Sequence, residues 1–237
     1  EIQVDRENRA AWIRAGDAEV VLNEGEWSGW VTVEFDMIPL LKKVRGICRF
    51  YLMETAPSLR LYVTPVQIDP VEPAMPISTP SSYSREIAER TGLYYTQGLP
   101  DDTSALENDF FGDDGYVQQS DFVLQERLAQ LETELDRFAG LDAGLLFFYF
   151  NSPDQVCHMM WRNMDHDSPT FAQSDHQHEF RIRDVYAELD AALGLAVERA
   201  GPDTVIMVMS DHGFGNFRRQ FNLNTWLRQN GYLYPAD

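Results

Sequence analysis

Leu124, Leu128, Leu131, Leu135 and Phe138 recur at spacings of four and three. That period predicts an amphipathic helix over 120–139, stopped by Gly140. A second stripe, Val185, Leu189, Ala192, Leu193, Ala196 and Val197, predicts a helix over 179–200 closed by Gly201-Pro202. A different pattern precedes each end of this region. Gly144-Leu-Leu-Phe-Phe-Tyr-Phe150 and Thr204-Val-Ile-Met-Val-Met209 are continuous apolar runs bounded by turn residues. Strands covered on both faces of a parallel sheet have this composition. The order strand, helix, strand predicts part of a doubly wound, mostly parallel α/β sheet with helices on both faces.

The first 70 or so residues follow another rhythm. Ala18–Leu22, Trp30–Phe35, Ile47–Leu52 and Ser58–Val63 have strand composition, several with period-two alternation, and turn-prone stretches separate them. This spacing suits an antiparallel meander. Pro65 to Pro80 holds five of the chain's 12 prolines and reads as an extended connector. A short helix is expected at Tyr83 to Thr91, capped by Ser82 or Ser84 and followed by Gly92. Residues 101–115 are acidic and without period, so they read as a loop. A last helix is expected from about Leu223 to Gln229, capped by Asn222 or Asn224. The chain therefore divides into a β-rich insertion or substrate cap, residues 1–115, and a partial α/β core, residues 116–237.

With 237 residues, 44% of them hydrophobic, the chain can bury a sizeable core. No apolar stretch approaches the roughly 20 residues that span a bilayer. No signal peptide is visible at the start, and the sequence leaves the compartment open, with the cytoplasm slightly favoured. The formal charge is −19, and Lys42 and Lys43 are the only lysines. Such a surface repels polyanions, so a nucleic-acid polymer is not an expected partner. Two cysteines, Cys48 and Cys157, are too few for a disulfide framework. Cys157 adjoins His158, but neighbours on a helix point in different directions, so it reads as a packing thiol.

The candidate chemistry sits directly after the two apolar runs. Phe150 is followed by Ser152-Pro153, a helix-start pair with Ser as cap. Asp154 and His158 then lie four apart, on one helix face. Met209 is followed by Asp211-His212-Gly213. In open α/β sheets, ligands bind just beyond the carboxyl ends of the strands. A carboxylate and an imidazole, supplied twice, suit two divalent metal ions, zinc above all. Each pair alone has an ordinary explanation, as a surface helix pair or as a turn with a capping Asp. Together, at two strand ends joined by one crossover, they point to Asp154, His158, Asp211 and His212 as metal ligands. His166, His176 and His178, with Asp165 and Asp167, fall in the stretch 163–178. They read as a solvent-exposed polar loop, with ligation or substrate contact as the alternative. Trp161 suits either a pocket wall or the core.

The run from Ser210-Asp-His-Gly-Phe-Gly-Asn to Asn230-Gly-Tyr-Leu233 resembles the alkaline phosphatase superfamily, in particular its type I phosphodiesterase/nucleotide pyrophosphatase branch. Asp154-Gln-Val-Cys-His-Met-Met-Trp161 is similar to that branch's upstream metal motif. Gly25-Glu-Trp-Ser-Gly-Trp30, Leu61-Tyr-Val-Thr-Pro65 and Tyr95-Thr-Gln-Gly98 resemble the middle segment of microbial members. The resemblance implies two metals, usually zinc, side by side. Asp154 and His158 would bind one, whose third ligand is a histidine far downstream. Asp211 and His212 would bind the other, whose third ligand is an aspartate near the start of the catalytic domain. A Thr or Ser beside that aspartate is the family nucleophile. None of those three elements can be placed in this sequence, so the catalytic residue is unknown and the chain looks like an internal portion of a longer enzyme. The implied reaction is metal-dependent phosphoester hydrolysis by in-line displacement on a small-molecule substrate. A diester or nucleotide pyrophosphate is favoured, with sulfate esters and phosphonates open. A non-catalytic module that binds metal or a partner is the alternative. Nothing in the sequence gives the oligomeric state.

Overall fold

The computed structural model describes residues 1–38, 42–171, 176–216 and 218–234. Residues 172–175 of the stretch expected to be irregular, Phe217 of the second motif run and residues 235–237 lie outside these. The first sheet pairs β1 (Ile2–Asp5), β2 (Ala10–Ala15) and β3 (Ala18–Asn23) in that order, all antiparallel. Ala11 pairs with Leu22 and Ile13 with Val20, so period-two alternation puts Ala11, Ile13 and Leu22 on one buried face. Gly16 opens the two-residue turn between β2 and β3 at φ +63°, the left-handed region that favours glycine in a tight hairpin.

β4 (Glu26–Trp27), β7 (Phe50–Glu54) and β8 (Arg60–Val63) form a second sheet, and β5 (Val31–Ile38), β6 (Lys42–Cys48) and β9 (Gln67–Ile68) a third. Every pairing in both is antiparallel. The expected antiparallel pairing is present, but the expected strands fall in three sheets and not in one meander. The run expected as one strand over 47–52 belongs to β6 and β7, which lie in different sheets.

Six helices complete the mixed α/β fold among the described residues: α1 (Tyr83–Thr91), α2 (Thr103–Glu107), α3 (Asp113–Ala139), α4 (Ser152–Met164), α5 (Arg181–Arg199) and α6 (Leu223–Gln229). Two departures from the sequence reading have local causes. The acidic loop 101–115 contains α2, because the Asp102 carboxylate accepts the Ala105 N–H and caps a turn. α3 starts at Asp113 rather than 120, with Asp113 and Asp114 in its positive first turn.

The largest core joins Trp27 and Tyr51 of the sheets to Tyr116 and Leu124 of α3, Val156 and Met160 of α4, and Ile182 and Val185 of α5. Trp27 stacks on Tyr51 with ring centroids 4.8 Å apart and donates its indole N–H to the Gly115 carbonyl at 3.2 Å. A Cβ at Gly115 would stand 2.9 Å from Tyr51 Cε1, so the helix reaches the sheet only because that residue has no side chain.

The two runs expected as parallel strands carry no ladder pairing among the described residues, and the doubly wound parallel sheet is therefore not among the paired strands. The first still has strand-like alternation. Leu146, Phe148 and Phe150 rest against Leu131, Leu135 and Ala192, whereas Leu145 is 91% and Phe147 77% exposed. All of residues 205–209 in the second run are exposed, so neither run is covered on both faces as expected. A parallel ladder needs a neighbour laid alongside by a crossover. Helices α3 and α5 cover one face of the first run, but no described strand supplies its edge.

Candidate metal centre

Asn151, not Ser152, is the residue before the first turn of α4, with Pro153 just inside the helix. The Asn151 side chain does not cap the helix. Its amide donates instead to Asp101 Oδ2 at 2.9 Å, in a buried link between the acidic loop and the end of the apolar run. Ser152, expected as the cap, has a buried hydroxyl without a partner among the described residues.

One turn further, Asp154 Oδ1 lies 3.4 Å from His158 Nε2 and 3.7 Å from His212 Nε2, and His212 Nε2 lies 3.7 Å from Asp211 Oδ2. The two motifs, 54 residues apart between His158 and His212, thus share one locus. Asp154 Oδ1 is buried and accepts no hydrogen bond from any described group, while Oδ2 accepts from Gln155 at 3.0 Å. A buried carboxylate oxygen without a donor is costly unless a cation faces it. Zinc–ligand bonds of about 2.0–2.1 Å in tetrahedral array place neighbouring donor atoms about 3.3–3.4 Å apart. The Asp154–His158 separation has that value, so these residues fit such an ion. Among the described residues no three carboxylate, imidazole or thiol groups close on one point as a complete cage.

His212 Nδ1 lies 2.9 Å from the Gly213 carbonyl. As a carbonyl can only accept, the proton sits on Nδ1, and the Nε2 lone pair faces the Asp154 carboxylate. That hydrogen bond, and then Asp211, hold the His212 pKa above its ordinary value.

The second motif is docked on α4 by alternate residues. Phe214 packs edge-on against His158 and tilted against Trp161, each with centroids 4.9 Å apart. Trp161 donates its indole N–H to Asn216 Oδ1 at 2.9 Å. Arg218 grips Asp165 with both terminal nitrogens, one of them 2.7 Å from Oδ1. Positions 214, 216 and 218 thus meet 158, 161 and 165, which are spaced as one helical stripe. None of these three docking residues was marked by sequence reasoning. The residues after the Asp-His-Gly turn, Phe214-Gly-Asn-Phe-Arg218, carry no alternation that would have marked them. Asp165→Asn is expected to raise amide hydrogen exchange over 213–216 by roughly an order of magnitude and leave α3 protected. Unchanged exchange would show that the ion pair does not hold the loop.

His178 pairs with Asp114 at 2.7 Å, and His166 lies 3.6 Å from Glu179. His166 and His176 flank the Phe171 ring. Cys157 is buried in the main core, and burial pushes its thiol pKa up, as suits a packing residue.

A family model described as type I phosphodiesterase / nucleotide pyrophosphatase matches residues 10–236. No curated protein and no solved structure matches the chain.

Proposed function

Because the chain belongs to the type I phosphodiesterase/nucleotide pyrophosphatase family, we propose that it carries half of a two-metal phosphodiesterase centre at the ends of the runs 144–150 and 204–209. Membership places it among hydrolases of small phosphoesters. No helix among the described residues is long and apolar enough to cross a membrane. Asp154 and His158 would hold one ion, most suitably zinc, and Asp211 and His212 the other. The observation that carries this reading is the partnerless Asp154 oxygen between two imidazole nitrogens from remote motifs.

When bound, divalent ions at such a site neutralise the non-bridging oxygens of the phosphoester and lower the pKa of the attacking hydroxyl. The chain's own residues prepare that site. The Gly213 carbonyl keeps His212 in the tautomer with a free Nε2, and the Phe214 ring limits rotation of His158. α4 holds Asp154 and His158 on one face, one turn apart. The nucleophile is not among the residues assigned here. In the same reading the runs 144–150 and 204–209 are strands of a doubly wound parallel sheet. Residues 1–115 serve as a cap over the α/β part, 116–237.

Calorimetric titration with zinc at pH 7.5 tests this. The chain is expected to take up zinc, and Asp154→Asn to weaken that uptake by roughly 100-fold, given the usual sensitivity of metal sites to ligand loss. Zinc-edge anomalous scattering should place the ion between Asp154 and His158. Full-length protein carrying Asp154→Asn should lose turnover of a nitrophenyl phosphodiester. Uptake indifferent to Asp154 and His212 together would overturn the assignment. Zinc bound at the site without any turnover by the full-length protein would favour a non-catalytic metal-binding module.

A further inference from the structure

Away from the metal centre, α1, α3, the segment Tyr94–Gly98 and the run Phe147–Tyr149 line an open cavity of about 450 Å³. Tyr83, Tyr94, Tyr95 and Phe148 are among the residues that line it, beside polar groups such as Thr96, Gln97 and Gln130. Arg127 is the charged residue that lines it, and no carboxylate does so among the described residues. Its guanidinium lies 4.6 Å over the Phe148 ring, and its two terminal nitrogens donate to Gln130 Oε1 at 2.9 Å and to the Tyr149 carbonyl at 2.6 Å. Both acceptors are neutral. They leave the rest of the five N–H groups of a guanidinium without an acceptor among the described residues.

Arg49, Arg137, Arg181, Arg199 and Arg218 each meet a carboxylate, whereas Arg127 forms no ion pair with a described residue. Arg6, Arg85, Arg90, Arg219 and Arg228 also form no ion pair with a described residue, but all five are exposed, whereas Arg127 is partly buried. Burial presses its pKa below the ordinary guanidinium value, so its charge sits in a partly dehydrated place. A cation so placed attracts an anion more strongly than one on an open surface. The planar fork matches the two oxygens of a carboxylate or phosphate. Flat aromatic walls favour a flat ligand.

We propose that this cavity is an accessory site for a small aromatic anion, its ring lying among Tyr83, Tyr94 and Tyr95 and its anionic group on Arg127. The site stands apart from the metal centre. Tyr116, whose hydroxyl feels the Asp154 charge, precedes Arg127 on α3 by eleven residues, about 16 Å of helical rise.

Titration of the chain with 4-nitrobenzoate, followed by calorimetry and ligand-observed magnetic resonance, tests the proposal without any hydrolysable bond. The expected result is saturable binding, with 4-nitrobenzamide and inorganic phosphate each at least about tenfold weaker. Arg127→Gln should weaken nitrobenzoate by at least about tenfold, and Arg127→Lys by less. Gly98 lines the cavity and a Cβ there meets nothing within 4 Å, so Gly98→Trp should fill the space with Arg127 intact and weaken binding similarly. Asp154→Asn should leave it unchanged. If Arg127→Gln does not fold, Gly98→Trp decides. Four results would each overturn the proposal. They are absence of binding, equal binding of the neutral amide, binding that survives Gly98→Trp, and binding lost with Asp154→Asn.

Discussion

Glu126→Ala should lower the free energy of unfolding by about 3–5 kcal/mol, the usual consequence of leaving a buried charge without its partner. Glu126 Oε1 accepts from Arg49 Nη2 and from the Trp30 indole, both at 2.8 Å, while Oε2 accepts from the Tyr95 backbone N–H at 3.0 Å. Arg49 is held between the rings of Trp30 and Phe122, 4.5 and 4.7 Å from their centroids, and donates to the Ser28 carbonyl at 3.1 Å. One carboxylate thus joins β-segment residues, the loop after α1 and the middle of α3. Burial, ahead of the attraction of Arg49, sets the Glu126 pKa above its ordinary value, so the pair is under a desolvation load. Removing only the acid strands the guanidinium. Replacing both, as Arg49→Met with Glu126→Leu, should restore most of the loss, because apolar side chains of similar volume carry no such load. Urea unfolding of the two single variants and the double variant measures the coupling. Additive losses would show that the pair does not act as a unit.

Asp101→Asn is expected to do the reverse, stabilising the protein by about 2 kcal/mol at pH 8 and by almost nothing at pH 4. Asp101 is 3% exposed, and burial carries its carboxyl from 3.8 to about 7. Asn151 donates to Oδ2, but Oδ1 has no partner among the described residues. Near pH 4 the folded state keeps the proton at almost no differential cost. Between pH 4 and 7 the unfolded chain releases its proton while the folded chain retains it. Stability from this group therefore falls as pH rises, by at most about 1.4 kcal/mol per unit. Above pH 7 the full penalty, at most about 4 kcal/mol, is in place. An unpaired amide in the variant takes back part of the gain. Melting profiles of wild type and variant from pH 4 to 8 should diverge with rising pH. Parallel profiles would mean that Asp101 is ionised in the folded protein at neutral pH. The same carboxyl holds Asn151 three residues before Asp154, so a shift of zinc affinity in Asp101→Asn would report that link directly.

Helix α3 was legible because Leu124, Leu131 and Leu135 repeat with the helical period and all three are buried. Its first turn was not, since Asp113-Asp114-Gly115 reads as the end of the acidic loop until Trp27 and Tyr51 close on Gly115. The run 144–150 reads as a strand covered on both faces, whereas only Leu146, Phe148 and Phe150 face the helices and Leu145, Phe147 and Tyr149 are exposed. Pairing was a different matter, because a strand's edge hydrogen bonds depend on a neighbour that its own side chains do not name.

The same division runs through the candidate site. By itself the sequence determined the four residue types and the local spacing that puts Asp154 and His158 on one helical face, because a turn of helix is a short-range property. It also identified the family through motifs contiguous in the chain. Only the tertiary structure brought His212 within 3.7 Å of Asp154, left one Asp154 oxygen without a donor, and set Phe214, Asn216 and Arg218 against α4. Those are meetings between segments some fifty residues apart, and they depend on how α4 and the second motif pack, which no local pattern encodes.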